Sequence, residues 1–317
     1  MKENSILLIN EKNMKYEGEI SIIGTHDGKF HADEVMACAI VSLLFNCEII
    51  RSRNENELNK ADIIFDVGMN DFNKIFNHHD RNWKEFRQNG IPFASAGIAW
   101  QLFGNEILKS MNIENQICQN VFNRIDKIMT EIDAIDTGIK VDIKYGITPI
   151  ISTFMPIEEN NLEKINIAFK EAVDFAKKYI QRQINTFAYL ELYKYKAWEI
   201  MKNNTEIVVF DTANLGWRDC INEHWNETSN IKLIVYPDIS GAWRVQSTPG
   251  ENTMQGGNGF AIRCKAPDEW LGKNDIAENM NDTQFKIQFC HKLGFIGGAV
   301  TKDDAIRMAQ TWIQRSK

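Results

Sequence analysis

The chain of 317 residues lacks any apolar run near the ~20 residues that a membrane-spanning helix needs, so we expect no association with a membrane. It also lacks a basic surplus, because 36 lysines and arginines face 43 acidic residues and leave a formal net charge of -7. Proteins that coat duplex nucleic acid are usually basic. Any contact with nucleic acid is therefore expected at a local site.

The N-terminus lacks the apolar core of a signal peptide, because its longest apolar stretch is Ile6–Ile9. Acidic residues at positions 3, 11, 17 and 19 also argue against an organelle transit peptide. We therefore expect a cytoplasmic protein whose first residues form a tail or a short flanking strand. The six cysteines include no C-x-x-C pair, which favours reduced thiols in a reducing compartment.

The rest of the sequence is typical of a folded α/β protein with two domains, with 44% hydrophobic and 25% charged residues. Residues 20–25, 48–53 and 61–67 have the apolar character of buried strands, and a helix is predicted at 32–45 between the first two. This order predicts a parallel sheet covered by helices. Two further helices are predicted at 95–109 and 114–133.

The second half of the chain begins with the longest helical periodicity, at 162–200. A helix of that length is expected to kink or split. Strands are predicted at 206–210, 232–236 and 241–246, followed by a closing helix at 303–314. The predicted parts are a domain at 18–155, a helical linker at 156–203 and a smaller C-terminal α/β domain at 204–317.

Histidine and aspartate side chains follow two of the predicted strands. His26, His31 and Asp33 come after the first strand, and Asp66 stands at the end of the third. Because ligands bind outside the carboxyl ends of strands in open α/β sheets, we expect these residues at one sheet edge. A mixed imidazole and carboxylate set suits Mn, Fe, Co or Zn, and not Ca. The alternative for each residue alone is structural, either a satisfied core histidine or an aspartate that caps a helix.

Four segments of the chain resemble a known family. They are THDGKFHADE at 25–34, FDVG at 65–68, NHHD at 77–80 and DAIDTG at 133–138. In order and spacing they resemble the signature segments of the DHH-type phosphoesterases. They resemble more closely those of the Myg family, a branch of that superfamily also called melanocyte-proliferating-gene products. The opening of that family resembles GTHxGxFHxDE, which residues 24–34 match throughout, and GFIGG at 294–298 resembles its C-terminal segment.

The resemblance implies a DHH-like metal-binding catalytic domain that holds two divalent metal ions, with Mn favoured over Mg, Co or Zn. The implied metal ligands are His26, His31, Asp33, Asp66, His78 and Asp136. Asp133, three residues earlier, is an alternative to the last of these. Asp66 resembles the residue that bridges both metals, and His79 resembles the neighbour that contacts the phosphate. The predicted catalytic residues are therefore His79, Asp33 and Asp66.

The second domain is expected to bind the substrate, partly through glycines that let a phosphate approach the backbone closely. The predicted substrate-binding residues are Arg81, Arg244, His291, Gly297 and Gly298. A tight turn is an equally good explanation of the glycine pair, and Arg81 has the alternative of a solvated surface residue. Two positions depart from the family pattern, because Asn77 replaces an aspartate and Ala299 replaces a histidine. His291 is expected to substitute in part for that missing histidine.

The resulting prediction is a two-metal phosphodiesterase that acts as a 3′–5′ exonuclease on single-stranded RNA or a short oligonucleotide. The RNA substrate and the polarity rest on the resemblance alone. One alternative is a hydrolase of small phosphoanhydrides or cyclic dinucleotides, which the acidic net charge favours slightly. Another is a metal-stabilised binding protein without turnover, which Asn77 and Ala299 keep open. The sequence leaves open the metal used in cells and the oligomeric state, a dimer included.

Overall fold

The computed structural model describes residues 18–70, 74–81, 83–139, 146–203, 205–213, 216–251, 261–280 and 283–316. The expected N-terminal tail or strand lies mostly outside the described residues. The chain divides into two compact units, Met1–Ala188 and Tyr189–Lys317. The predicted domains at 18–155 and 204–317, with their linker at 156–203, stay predictions.

The first unit contains a four-stranded sheet in which every pair of neighbouring strands is parallel, so the predicted parallel sheet is confirmed. Its strands are β1 (Ile22–Thr25), β2 (Glu48–Arg51), β3 (Ile63–Phe65) and β4 (Ile75–Phe76). Their order in the sheet is β2-β1-β3-β4. Consequently β3 lies between β1 and β4, and the segments after these three strands emerge side by side at one edge.

The helices of the first unit begin with a fully buried one. Among the described residues they are α1 (Ala32–Val41), α2 (Glu55–Leu58), α3 (Ser95–Ser110), α4 (Asn115–Asp136) and α5 (Ile147–Ser152), together with α6 (Leu162–Met201), which continues past Ala188 into the second unit. All ten residues of α1 are buried, and α1 packs against α3 and α4. The helix predicted at 162–200 exists as one helix of 40 residues, so the expected split is wrong. That stretch contains neither proline nor glycine to interrupt it.

The second unit contains a mixed six-stranded sheet in the order β5-β6-β7-β10-β9-β8. Its strands are β5 (Ile207–Val209), β6 (Leu233–Pro237), β7 (Trp243–Ser247), β8 (Asn274–Met280), β9 (Thr283–Cys290) and β10 (Ile296–Ala299). The first two pair in parallel, and the other pairs are antiparallel. Besides the end of α6, the described residues of this unit form the helices α7 (Trp217–Glu223) and α8 (Lys302–Arg315), the predicted closing helix.

The core of the second unit lies between α8 and the sheet, where Trp312 of α8 meets Trp270 edge-on at 6.3 Å between ring centroids. Three of the six strands, β8, β9 and β10, were missing from the sequence prediction. Within the described part of the chain, no helix has the length and hydropathy needed to cross a bilayer.

Candidate metal centre

Asp66 lies directly after β3 at the carboxyl edge of the parallel sheet. Its backbone has a φ of 60°, in the left-handed region that few residues other than glycine adopt. The Asp66 side chain is buried, yet neither carboxylate oxygen accepts a hydrogen bond from a described residue. A buried carboxylate without donors is costly and indicates a ligand that completes its coordination.

Three histidines surround the Asp66 carboxylate because they follow the two strands that flank β3. His26 follows β1, and its Nε2 lies 3.2 Å from Asp66 Oδ2. His78 and His79 follow β4, with Nδ1 of the first and Nε2 of the second each 3.3 Å from Asp66 Oδ1. The imidazoles therefore converge on one carboxylate at the sheet edge, as expected where neighbouring parallel strands end together.

Two groups of ligand-type side chains meet at Asp66. One comprises His26, His31, Glu34 and Asp66, and the other comprises Asp66, His78, His79 and Asp136. In each group every residue contributes one nitrogen or oxygen atom, and these atoms lie within 4.8 Å of one another. Nitrogen and carboxylate donors in this mixture fit Mn, Fe, Co or Zn. The unpaired oxygens of Asp66, shared by both groups, fit a site for two metal ions.

Asp136, at the end of α4, links the two groups. Its Oδ2 lies 2.9 Å from His78 Nε2, and its Oδ1 lies 3.9 Å from His31 Nδ1. Burial lowers the pKa of His78, but the carboxylates of Asp136, Asp33 and Asp66 outweigh burial and raise it to about 9. Burial raises the pKa of Asp136, and the contact with His78 reverses this and holds the pKa below its ordinary value. Without metal, this pair is therefore an imidazolium beside a carboxylate.

Asp33 lies next to these groups but has hydrogen-bond partners of its own. Its two oxygens accept the backbone N–H groups of Ser95 at 2.9 Å and Ala96 at 2.7 Å, at the start of α3. The capping role considered from the sequence is therefore present. Asp33 Oδ2 is also 3.8 Å from His78 Nδ1. Burial raises the pKa of Asp33, and the nearby Asp136 and Asp66 raise it further.

Asp133, the alternative ligand, is bound by the start of α3 and by Arg87. Its Oδ1 accepts the N–H of Gly97 at 2.9 Å, and its Oδ2 accepts hydrogen bonds from the Arg87 guanidinium at 2.7 and 3.1 Å. Both oxygens are thus occupied by protein donors. Asp136, and not Asp133, contacts His78.

Glu34 is the residue of the first group that the sequence analysis did not identify as a ligand candidate. It is fully buried, and its Oε1 accepts the backbone N–H of His31 at 2.8 Å in a capping box at the start of α1. The same oxygen lies 3.7 Å from His26 Nε2, while Oε2 has no hydrogen-bond partner among the described residues. Burial raises the pKa of Glu34. In the sequence, the signal that could have drawn attention to Glu34 was its position three residues after His31, which is the spacing of a capping box.

Asn77, the departure from the family pattern, fixes the segment that carries the two histidines. Its Nδ2 donates to the Gly68 carbonyl at 2.7 Å, and its Oδ1 accepts the N–H of His79 at 3.0 Å. An ionised aspartate could accept but not donate, so the first bond requires the amide. Asn77 therefore ties the end of β4 to the turn that follows Asp66.

The predicted substrate-binding residues are mostly in the second unit. Arg81 is exposed in the first unit, in the turn after His79. Arg244 on β7 pairs with Asp238, and its guanidinium lies 5.1 Å from the centroid of the Phe289 ring. His291 Nδ1 accepts the N–H of Leu293 at 3.2 Å.

The glycine pair lies in β10, a strand paired on both sides with β7 and β9. A Cβ at Gly297 would stand 2.3 Å from Met308 Cε of α8 and 2.9 Å from the backbone oxygen of Phe289. A Cβ at Gly298 would stand 2.7 Å from Arg244 Nη1 and 3.0 Å from the backbone oxygen of Trp243. The absence of side chains is therefore explained by close packing. Ala299, the second departure, is fully buried in the core of this unit.

Comparison with known proteins places the chain in a family. Residues 22–313 match the MYG1_exonuc family model, described as an uncharacterised protein family (UPF0160). The chain belongs to the MYG1 family. All four N-terminal segments and GFIGG of this MYG1-family chain fall within the matched residues.

Curated relatives match over nearly the same length. MYG1 exonuclease of Mus musculus is 27% identical over 91% of this chain and 83% of its own length. MYG1 exonuclease of Homo sapiens is 27% identical, covering 93% of this chain and 86% of its own. MYG1 protein of Dictyostelium discoideum is 28% identical over 93% and 97%, respectively.

Among solved structures, RecJ in complex with Mn2+ from Thermus thermophilus is 10% identical with a TM-score of 0.28, covering 92% of this chain and 52% of that one. A score at that level supports no inference about fold, metal or activity.

Proposed function

We propose that this MYG1-family chain is a two-metal phosphodiesterase that removes nucleotides from the 3′ end of single-stranded RNA. The observation that carries the proposal is Asp66, a buried carboxylate that accepts no hydrogen bond from the described residues and that two groups of nitrogen and oxygen ligands share. The name of the mouse and human relatives, MYG1 exonuclease, supports a nuclease. The RNA substrate and the 3′ polarity come from the family resemblance.

The proposed ligands divide into two sets that share Asp66. The first set is His26, His31 and Glu34, and the second set is His78 and Asp136, with Asp33 beside it. Divalent metal ions, with Mn2+ proposed, supply Lewis-acid activation of water and neutralise charge on the phosphodiester when bound. The protein contributes their spacing, since the ligands come from three adjacent strand ends and from α1 and α4.

His79 is proposed to contact the substrate phosphate. Its ring packs on His78 with centroids 3.9 Å apart, and its side chain is 58% exposed, whereas that of His78 is 4% exposed. Burial and the neighbouring His78 charge lower the pKa of His79, so its ring is neutral near pH 7. A neutral, exposed imidazole still has one N–H group, which can donate a hydrogen bond to a phosphate oxygen.

The second unit is proposed to bind the nucleotide chain through Arg244, His291 and the backbone at Gly297 and Gly298. Arg81 of the first unit is likewise proposed to bind the substrate. Arg244 is the strongest of these, because its guanidinium is held in place by Asp238 and by the ring of Phe289. This assignment predicts that substitution of these residues modestly weakens the affinity for substrate and does not change the rate of the chemical step.

The test is a time course on single-stranded RNA labelled at its 5′ end, with Mn2+ or Mg2+ and with a chelator control. The proposal predicts a ladder that shortens stepwise from the 3′ end, no cleavage with chelator, and poor cleavage of the same sequence as a duplex. Asp66→Asn should remove activity, whereas Asp174→Asn, on the exposed face of α6, is the matched control and should not.

The same assay decides between the alternatives. The net charge of -7 favours a small anhydride or cyclic dinucleotide as substrate more than a long polyanion. If phosphate is released from pyrophosphate, or mononucleotide from a cyclic dinucleotide, faster than nucleotides are released from RNA, then that compound and not RNA is the substrate. No turnover of any of these by metal-loaded protein would establish a binding protein instead.

A further inference from the structure

Arg87 is a buried cation that clamps α4. Only 7% of its surface is exposed, and its guanidinium lies 4.2 Å from the centroid of the Phe93 ring. Nη1 donates to both oxygens of Asp126 at 2.7 Å, while Nε and Nη2 donate to Asp133. Both aspartates belong to α4 and stand two turns apart, on the same helix face. One guanidinium thus holds two turns of this helix.

The same network caps α3. Asp133 accepts the N–H of Gly97, and Asp33 accepts those of Ser95 and Ala96. Three consecutive N–H groups at this helix start are therefore shared between a carboxylate of α4 and a carboxylate of α1. The arrangement requires glycine, because a Cβ at Gly97 would stand 2.0 Å from Asp133 Oδ2 and 2.5 Å from Arg87 Nη2.

The network ends at the second group of ligands. Asp133 precedes Asp136 by one helical turn, and Asp136 contacts His78 Nε2 at 2.9 Å. Asp33 contacts His78 Nδ1 at 3.8 Å. The ion pair and the shared helix cap therefore fix Asp136 and Asp33, two of the three carboxylates that flank His78.

Stability alone gives little reason for such a network. Burying an arginine and an aspartate incurs a desolvation cost that often equals or exceeds their attraction, and well-packed apolar residues serve a core at least as well. Buried charged networks do restrict geometry, and metal sites depend on the partners that orient their ligands.

We propose that Arg87 and Asp133 are positioning residues that hold Asp136 and Asp33 at His78 and so preorganise one of the two metal sites. The inference rests on the proposed two-metal function. Neither residue touches metal or substrate in this role. The residues act by fixing α4 and the start of α3 relative to α1.

The test is Mn2+ binding to the metal-free full-length chain, followed by the EPR signal of free Mn2+ and by calorimetry, with unfolding measured in parallel. The wild type should bind two Mn2+ ions. Arg87→Met should bind one of them unchanged and the other about 10–100-fold more weakly, the range seen when partners of metal ligands are removed. The Mn2+ affinity of the weakened site in Arg87→Lys should lie between those of the wild type and of Arg87→Met, because lysine restores the charge but not the forked hydrogen bonds.

Two further variants keep the result decisive. Asp126→Asn weakens the outer arm of the clamp by removing its charge and one acceptor oxygen, while the remaining oxygen can still accept from Arg87 or Gln101. The Asp126 side chain is 25% exposed, so this variant should fold and weaken the same site by a smaller factor. Lys194→Met removes a mostly buried cation of the second unit that pairs with Glu191 and Glu223, and it should lower stability without changing Mn2+ binding.

The outcomes separate this inference from the proposed function. A wild type that binds fewer than two Mn2+ ions contradicts the two-metal function itself. A wild type that binds two, together with folded Arg87→Met and Asp126→Asn proteins that bind two at unchanged affinity, overturns the positioning role. If Arg87→Met fails to fold, Asp126→Asn alone decides.

Discussion

The two regions that carry predicted site residues differ in how their polar groups are paired. At the sheet edge of the first unit, Asp66 is buried among imidazoles and accepts no hydrogen bond from the described residues. In the second unit, Arg244 is paired with Asp238, and Gly297 and Gly298 are packed within a paired strand. An unpaired buried polar group costs about 1–3 kcal/mol, so it persists where a ligand completes it. The first region therefore has the polar groups expected of a ligand-binding site, whereas the polar groups of the second region are paired within the protein.

The largest effect is expected from Asp66→Asn. Because both ligand groups share this carboxylate, RNA hydrolysis should fall by on the order of 1000-fold or more, which corresponds to the several kcal/mol that metal ions supply. Removing one of several close carboxylates relieves repulsion, so the thermal stability of metal-free protein should hold or rise. Near-normal cleavage of RNA by Asp66→Asn with Mn2+ supplied would contradict the assignment of the chemistry to the first region.

Glu34→Gln sharpens the account of the first group. Glutamine can still accept the His31 N–H and keep the capping box, but it removes the charge from the unpaired Oε2. We expect Mn2+ affinity to fall about 10–100-fold at one site, with unchanged helix content by circular dichroism. Unchanged affinity would reduce Glu34 to a capping residue.

The sequence predicted that His26 and Asp66 lie at one sheet edge because each directly follows a predicted strand. His78 was predicted only from the family resemblance, because the two-residue strand β4 that precedes it was not predicted. Glu34 was not predicted as a ligand, because its burial is not visible in the sequence pattern. Arg87 was missed because its partners are 39 and 46 positions away, in a helix whose packing no local pattern specifies.

The second sheet was harder to predict for a related reason. β9 alternates, with Phe285 and Ile287 buried and their neighbours exposed, so its period of two was available in the sequence and was overlooked. β10 contains two glycines, which local preference assigns to turns and not to strands. Only pairing with β7 and β9 and packing against Met308 make it a strand.

Proton linkage gives a third, intermediate effect. The carboxylates around His78 raise its pKa to about 9, so the metal-free protein holds a proton there that metal must displace. Mn2+ affinity should therefore rise between pH 6 and pH 9, and calorimetry in buffers of different ionisation enthalpy should detect proton release. Affinity that is flat over this range would contradict the ligand role of His78.

The same shift affects the stability of metal-free protein in the opposite direction. A folded-state pKa above the unfolded value of about 6.5 stabilises the fold fully below that pH. This contribution should be lost as pH rises through about 9. Denaturant unfolding of the metal-free wild type and of His78→Gln across this range measures the difference, which should shrink with rising pH.

The smallest effect is expected in the second region, from Arg244→Met. A partly exposed contact between a guanidinium and a phosphate is worth about 1 kcal/mol, so loss of that contact should raise KM for RNA about fivefold with kcat little changed. Asp238→Asn is the control for loss of the pair without loss of the guanidinium. If kcat instead fell by about two orders of magnitude, this region would also take part in the chemistry.

Anomalous scattering from Mn2+ in crystals of the metal-loaded wild type tests the central claim most directly. The account predicts two peaks on either side of the Asp66 carboxylate. One should lie among His26, His31 and Glu34, and the other at His78 and Asp136. A single peak, or peaks that do not contact Asp66, would contradict a two-metal centre at this sheet edge.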